Sequence, residues 1–171
     1  MPVKIPTAAQ LTQLTPAEKR VAEVLVTGAS NIHGARNLGM SSSTYAGHLG
    51  SISRRFQITS RTGRPARAHA VLASGQVAPP PAPAHIPEFT LGERRLLRAL
   101  AEHPETHEIA RAARVAEAEV RPWIKALVAK AGADNDTHLV GLGHAWGLLG
   151  ARDSESVISD DTPSETDGAA R

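Results

Sequence analysis

The chain has 171 residues, no cysteine, 3% aromatic residues and 19 Lys or Arg against 17 Asp or Glu. That length suits one domain or two very small ones; the missing thiols exclude disulfides, thiolate catalysis and cysteine-ligated zinc, and no run reaches the roughly 18 apolar residues of a membrane span. The near-neutral balance hides an asymmetry: residues 1–77 carry nine basic and two acidic side chains, residues 78–150 eight and nine, and residues 151–171 two and six.

The first helix is announced by Thr15-Pro16-Ala17-Glu18, a capping box with proline at the first helical position. Val21, Val24 and Leu25 mark its buried face and Gly28 its stop. Ser30 caps a short second helix with Ala35 and Leu38 inward and Gly39 as terminator. Ser41 caps a third helix running through Phe56, where Tyr45, Leu49, Ile52 and Phe56 recur at helical spacing. A fourth helix is expected over 62–73.

Residues 76–87, QVAPPPAPAHIP, hold five prolines in twelve positions and predict an extended spacer rather than a helix. The first plan then recurs 75 positions on. Thr90-Leu91-Gly92-Glu93 is a second T-x-x-E box, followed by a stripe of Leu96, Leu97 and Leu100. Ile109, Ala110 and Ala113 mark a second helix, and Val120, Ile124, Leu127 and Val128 a third, whose start Pro122 would place near residue 122. Gly132 ends it, and Asp136 is expected to cap a last helix over 136–149. The acidic, Ser- and Thr-rich residues 151–171 cannot bury enough surface to offset ordering entropy and predict a disordered tail. The expected organisation is an arm at 1–13, units at 14–75 and 88–150, a linker at 76–87 and the tail.

Residues 14–72 resemble the helix-turn-helix of LuxR-type, or GerE-type, bacterial transcription regulators. The resemblance rests on LTPAE, GASN, ARNLGMS, Thr44, His48-Leu49, Ile52 and Ser60-Arg61-Thr62, and it is looser in FTLGERRLLRALAEHPETHEIARAARV. It implies an all-α protein with two tandem four-helix LuxR-like units, the second degenerate. It also implies a third helix in the major groove of duplex DNA and a fourth helix as the dimer contact. Ser41, Thr44, His48, Arg61 and Thr62 match positions that touch phosphate or buttress the helix. Arg54, Arg55, Arg61, Arg64 and Arg67 form a basic cluster suited to phosphates.

The base-reading stretch departs from the family. Ala46, Gly47 and Gly50 stand where long polar side chains are usual, leaving Ser43 and Ser51 as polar contacts. Either the backbone there approaches DNA closely or specificity has been lost. Tyr45 replaces a small aliphatic and is expected in the core with its hydroxyl at the rim. Gly34 replaces a core aliphatic, and Ile32 is expected to refill that space. In the second unit Glu117 and Glu119 open the third helix, which disfavours phosphate, while Arg111, Arg114, Arg121, Lys125 and Lys130 leave a second DNA contact open beside a structural or protein-binding role. Its last helix, with Gly141, Gly143 and Gly147 beside Leu142, Trp146 and Leu149, is the expected interface.

There is no phosphate loop, dinucleotide fingerprint or nucleophile with paired acids, and the sequence implies neither an enzyme nor a cofactor or metal. The leading reading is a cytoplasmic, nucleoid-associated transcriptional regulator whose first unit binds duplex DNA. The second unit would serve dimerisation, as a homodimer, or contact with RNA polymerase or another regulator. The alternative is a protein-binding adaptor or anti-regulator that keeps the fold without specific DNA readout.

Overall fold

The computed structural model describes residues 13–59 and 62–150; the N-terminal arm, Ser60, Arg61 and the tail lie outside the described residues. Among the described residues there are eight helices and no strand. They are α1 Pro16–Leu25, α2 Asn31–Asn37, α3 Ser42–Arg55, α4 Arg64–Ala73, α5 Leu91–Glu102, α6 Thr106–Ala113, α7 Glu117–Ala131 and α8 Asp136–Ala145. No helix among the described residues is long and apolar enough to cross a membrane.

The local bonds that start and stop these helices recur 75 residues apart. Thr15 and Thr90 each accept from the amide three residues on, and Glu18 and Glu93 each bond back to the N-cap amide, completing two capping boxes. The turns after α2 and α6 each place a residue in the left-handed region, Gly39 at φ 66° and Arg114 at φ 59°. Both close with the same bond, Met40 N–H to the Ala35 carbonyl and Val115 N–H to the Ala110 carbonyl, each 3.0 Å. After α3 and α7, Gln57 and Gly132 take the same role, with Ile58 bonding back to Ser53 at 2.9 Å and Ala133 to Val128 at 3.0 Å. The side-chain caps do not all recur. Ser30 and Ser41 cap α2 and α3, whereas Glu105 and Ala116, at the matching starts of α6 and α7, make no side-chain cap.

Four helix ends differ from expectation: α4 begins at Arg64 rather than 62, Asn135 rather than Asp136 caps α8, and the start of α7 and the end of α8 are shifted. Pro122 lies inside α7, which begins at Glu117. The amide missing at Pro122 would have bonded to the carbonyl of Ala118, an exposed residue where water can substitute. Helix α8 ends at Ala145, because Gly147 at φ 73° turns the chain back. Leu148 N–H then bonds the Gly143 carbonyl at 2.8 Å and Leu149 folds onto Gly143.

Two apolar clusters form. Val21, Leu25, Tyr45, Leu49, Ile52 and Val71 centre the first, and Leu96, Leu97, Leu127, Leu139, Leu142 and Leu149 the second. Helix α8 packs most extensively against α4, and α4 also packs against α5. A Cβ at Gly141 would stand 2.5 Å from the Val26 carbonyl and 2.7 Å from Pro80, so only glycine lets α8 come so near the end of α1. Asn135 caps α8 with its side-chain oxygen and donates its side-chain amide to the Gly28 carbonyl at 2.8 Å. Residues 76–87 lie along the body. Gln76 accepts from Leu14 N–H at 2.7 Å, Val77 is buried in the first cluster, and the Pro83 carbonyl accepts from the Trp146 indole at 3.1 Å.

The two departures in the first cluster answer each other. Tyr45 is fully buried, and its ring occupies the space beside Gly34, where an added Cβ would lie 2.6 Å from a ring carbon. Ile32 does not refill that space; it is 61% exposed. The Tyr45 hydroxyl is buried rather than at the rim. Burial raises its pKa, an effect the nearby Arg64 charge opposes.

Gly34→Ala should therefore destabilise by about 1–3 kcal/mol, since a fully buried ring cannot swing away from the new methyl. In a Tyr45→Val background the same change should cost much less, and the double-mutant cycle in urea measures the coupling.

Acid should act on the packing of α4 against α8. There, His69 Nδ1 and His144 Nε2 lie 2.9 Å apart. Burial lowers both imidazoles, His144 to about 4 with the His69 charge adding to the effect; around His69, Glu102 raises and Arg98 lowers. Folding thus favours the neutral rings. The stabilisation is complete above the unfolded value near 6.5 and is lost as pH falls from there toward about 4. The melting temperature should drop between pH 6.5 and 4.5, before the carboxylates titrate, and His144→Asn should flatten that drop.

Candidate nucleic-acid interface

Helix α3 is built to present one face. Tyr45, Leu49, Ile52 and Ser53 are buried, while Ser43, Ala46, Gly47 and Arg54 are exposed, with Gly50 and Ser51 half-exposed beside them. Its start is fixed by Ser41, whose hydroxyl accepts from Thr44 N–H at 3.1 Å and bonds the Thr44 and Ser43 hydroxyls at 2.8 and 3.0 Å. No atom lies within 4 Å of a Cβ built at Gly47, and only the Arg54 guanidinium approaches one at Gly50. The two glycines are therefore not required by internal packing. They leave the outer face smooth, at about 1 kcal/mol each in helix propensity against alanine.

The arginines around this face are differently engaged. Arg54 is exposed and donates to Ser51 at 2.9 Å. Arg55 pairs with the carboxylate of Glu18 at 2.6 Å. Burial alone would raise Glu18, yet the bonds from Thr15 and Arg55 hold its carboxyl below the usual range. Arg64 bridges from α4 to the Asn31 side chain at 2.8 Å and to the Ala29 carbonyl. Arg67 donates to Ser53 at 2.8 Å and to the Thr62 carbonyl at 3.4 Å. Thr62 itself is buried, its hydroxyl 3.1 Å from that of Thr59. His48 is half-buried, and Arg61 lies outside the described residues. Of the expected contact residues, the structure thus gathers Ser43, Ala46, Gly47, Ser51 and Arg54 on one exposed face. It ties Arg55 and Arg64 into the scaffold.

Residues 12–64 match the family of bacterial regulatory proteins named luxR, or GerE. That segment, under a third of the chain, runs from before α1 to the first residue of α4 and includes the α2–turn–α3 unit. It marks the chain as carrying a LuxR-type helix-turn-helix, which points to a DNA-binding transcription regulator; regulators of this family are generally not enzymes. No curated protein and no solved structure matched the chain.

The interface residues expected in the last helix sit in the second cluster. Leu142 and Leu149 are buried within it, and Trp146 packs against it with its ring 6.0 Å from Phe89. One functional feature escaped the sequence reading. Glu93 pairs with Lys130 at 2.7 Å, 37 residues on, as Glu18 pairs with Arg55 at the same spacing. A basic residue at one fixed distance after each capping box was the available signal.

The two pairs differ in burial, and so in worth. Glu18 is almost wholly buried, so Arg55→Ala strands a carboxylate and should cost about 1–3 kcal/mol. Glu93 is 28% exposed, so Lys130→Ala should cost under about 1 kcal/mol. Urea titration of the two single mutants compares them directly.

Proposed function

We propose that the chain is a DNA-binding transcriptional regulator whose first helix-turn-helix sits on duplex DNA with α3 in the major groove. The LuxR-type match over α1 to the start of α4 carries this reading. It is supported by the balance of nine basic to two acidic residues in 1–77 and by the exposure of Lys19, Arg20, Arg36 and Arg54. With a smooth outer face on α3, the first unit anchors on phosphates and contributes little base discrimination.

In this reading the second half is a diverged copy of the first. The recurring capping box, ion pair and left-handed turn at 75 residues support it. Helix α8 then covers the face of α4 that a homodimer would use, so the dimer contact is made within one chain. The protein would act in the cytoplasm, on the nucleoid. The adaptor reading, with RNA polymerase or another regulator as partner, draws on the engaged Arg55 and Arg64 and the bare α3 face.

A gel shift of the full chain on random-sequence duplex at several salt concentrations separates the two. DNA binding predicts an affinity that falls steeply with salt. Changing Arg54 and Arg36 to Ala should reduce the slope by about one unit for each phosphate left without its cation. A chain that binds no duplex at low salt is an adaptor.

A further inference from the structure

Helix α7 occupies in the second half the place that α3 occupies in the first. Both follow a left-handed turn closed by the same bond, at Gly39 and Arg114. Both end in the same reverse turn, at Gln57 and Gly132, and both carry the basic partner of a capping-box glutamate near their C-terminus. With the two ends fixed at one spacing of 75 residues, each residue of α7 takes the position of the residue 75 before it. Ala46 then corresponds to Arg121, and Gly50 to Lys125. These are two positions of the outer face of α3, one helical turn apart, where that helix offers no functional side chain.

Arg121 and Lys125 are exposed and form no ion pair or hydrogen bond among the described residues. Arg111 and Arg114, at the end of α6 and in the turn, are also exposed. The chain has therefore long cationic donors on the outer face of its second third-position helix and none at the matching positions of its first.

We propose that α7 is the base-reading helix of this protein, with Arg121 and Lys125 directed at guanine edges in the major groove of duplex DNA. This rests on the DNA-binding reading above. Arginine donates two parallel bonds to guanine O6 and N7, and lysine reaches the same acceptors. Glu117 and Glu119, exposed at the start of α7, oppose nearby phosphates and can accept from the cytosine amino group. The labour is divided: the basic first half supplies sequence-independent affinity, and the nearly neutral second half supplies discrimination.

Selection of the full-length chain against a random-sequence duplex library tests this, comparing wild type with the Arg121→Ala/Lys125→Ala double variant. Wild type should enrich a short guanine-containing site. The double variant should reduce preference for that site by about 5- to 150-fold for each base-reading side chain truncated, a loss larger than its loss of affinity for random duplex, with the far-UV circular dichroism spectrum retained. Arg121→Gln should move one selected base from guanine to adenine, a change of identity that misfolding cannot produce. If the double variant enriches the same site with undiminished preference, or weakens binding to all sequences equally, α7 does not read bases. If wild type binds no duplex, the DNA-binding reading falls as well.

Discussion

The orientation of α3 against α1 depends on a carboxylate placed at the start of α1. Glu18 satisfies the N-cap amide of α1 and at the same time holds Arg55 at the end of α3. One side chain therefore fixes the beginning of one helix to the end of another 37 residues away. Because Glu18 is buried, the pair cannot be exchanged for water without stranding a charge, and the angle between α1 and α3 is firmly set. The consequence for chemistry is that Arg55, one of the cluster of arginines expected at phosphate, is committed to the scaffold. Glu93 and Lys130 repeat the device in a wetter setting, and Lys130 also lies 5.6 Å over the Phe89 ring.

The second constraint is the packing of α8. It is buried on most of its circumference, with Thr137, Leu139, Val140, Gly141, Leu142 and Gly143 all inaccessible in a helix of ten residues. A helix with so much of its surface buried must be enclosed from more than one side. Its own half encloses one side through α5 and α7, and α4 with the end of α1 encloses the other. The close approach at Gly141 and the double use of Asn135 belong to that enclosure. So does the histidine pair, in which two rings 75 residues apart in sequence meet across α4 and α8 as neutral donor and acceptor. The Pro-rich segment closes over the same helix. Having few amide donors of its own, it offers carbonyls and ring faces, which Trp146 and Gly141 take up.

What the sequence made legible was local. Capping boxes, serine caps and helix-ending glycines act over a few residues, and the starts of α1, α2, α3 and α5 fall where their caps place them. The Gly34 and Tyr45 departures were each visible, but their complementarity was not, because it depends on two helices crossing at that point. Ile32 was a plausible filler by volume and two residues away, yet on a helix that offset turns it to the opposite face, where it is exposed. The engagement of Arg55 and Arg64 was hidden for a related reason. A run of arginines looks like free charge until the tertiary fold supplies Glu18, Asn31 and the Ala29 carbonyl as partners. The spacer reading of residues 76–87 failed to foresee docking, since composition fixes the stiffness of such a segment and not the surface available to it.

The glycines of α3 are of a different kind from Gly34 and Gly141. A helix-interior glycine is tolerated where a backbone must pass close by, as at Gly141, or where a side chain needs its space, as at Gly34. Gly47 meets neither condition, and Gly50 meets only the tip of Arg54. Their propensity cost is offset by the rest of the helix: the Ser41 cap, the buried Tyr45, Leu49 and Ile52, and the Glu18–Arg55 pair. Stability thus leaves the outer face of α3 unconstrained, and on that face the chain has placed nothing larger than alanine between Thr44 and Ser51 apart from the half-buried His48. Under a DNA-binding reading, such a helix lets the groove wall approach the backbone while the surrounding cations hold the phosphates. It cannot by itself tell one base pair from another by side-chain hydrogen bonds. Discrimination then has to come from DNA shape or from a second reading element, and the packing of α4 on α8 is what would hold such an element in a fixed relation to the first.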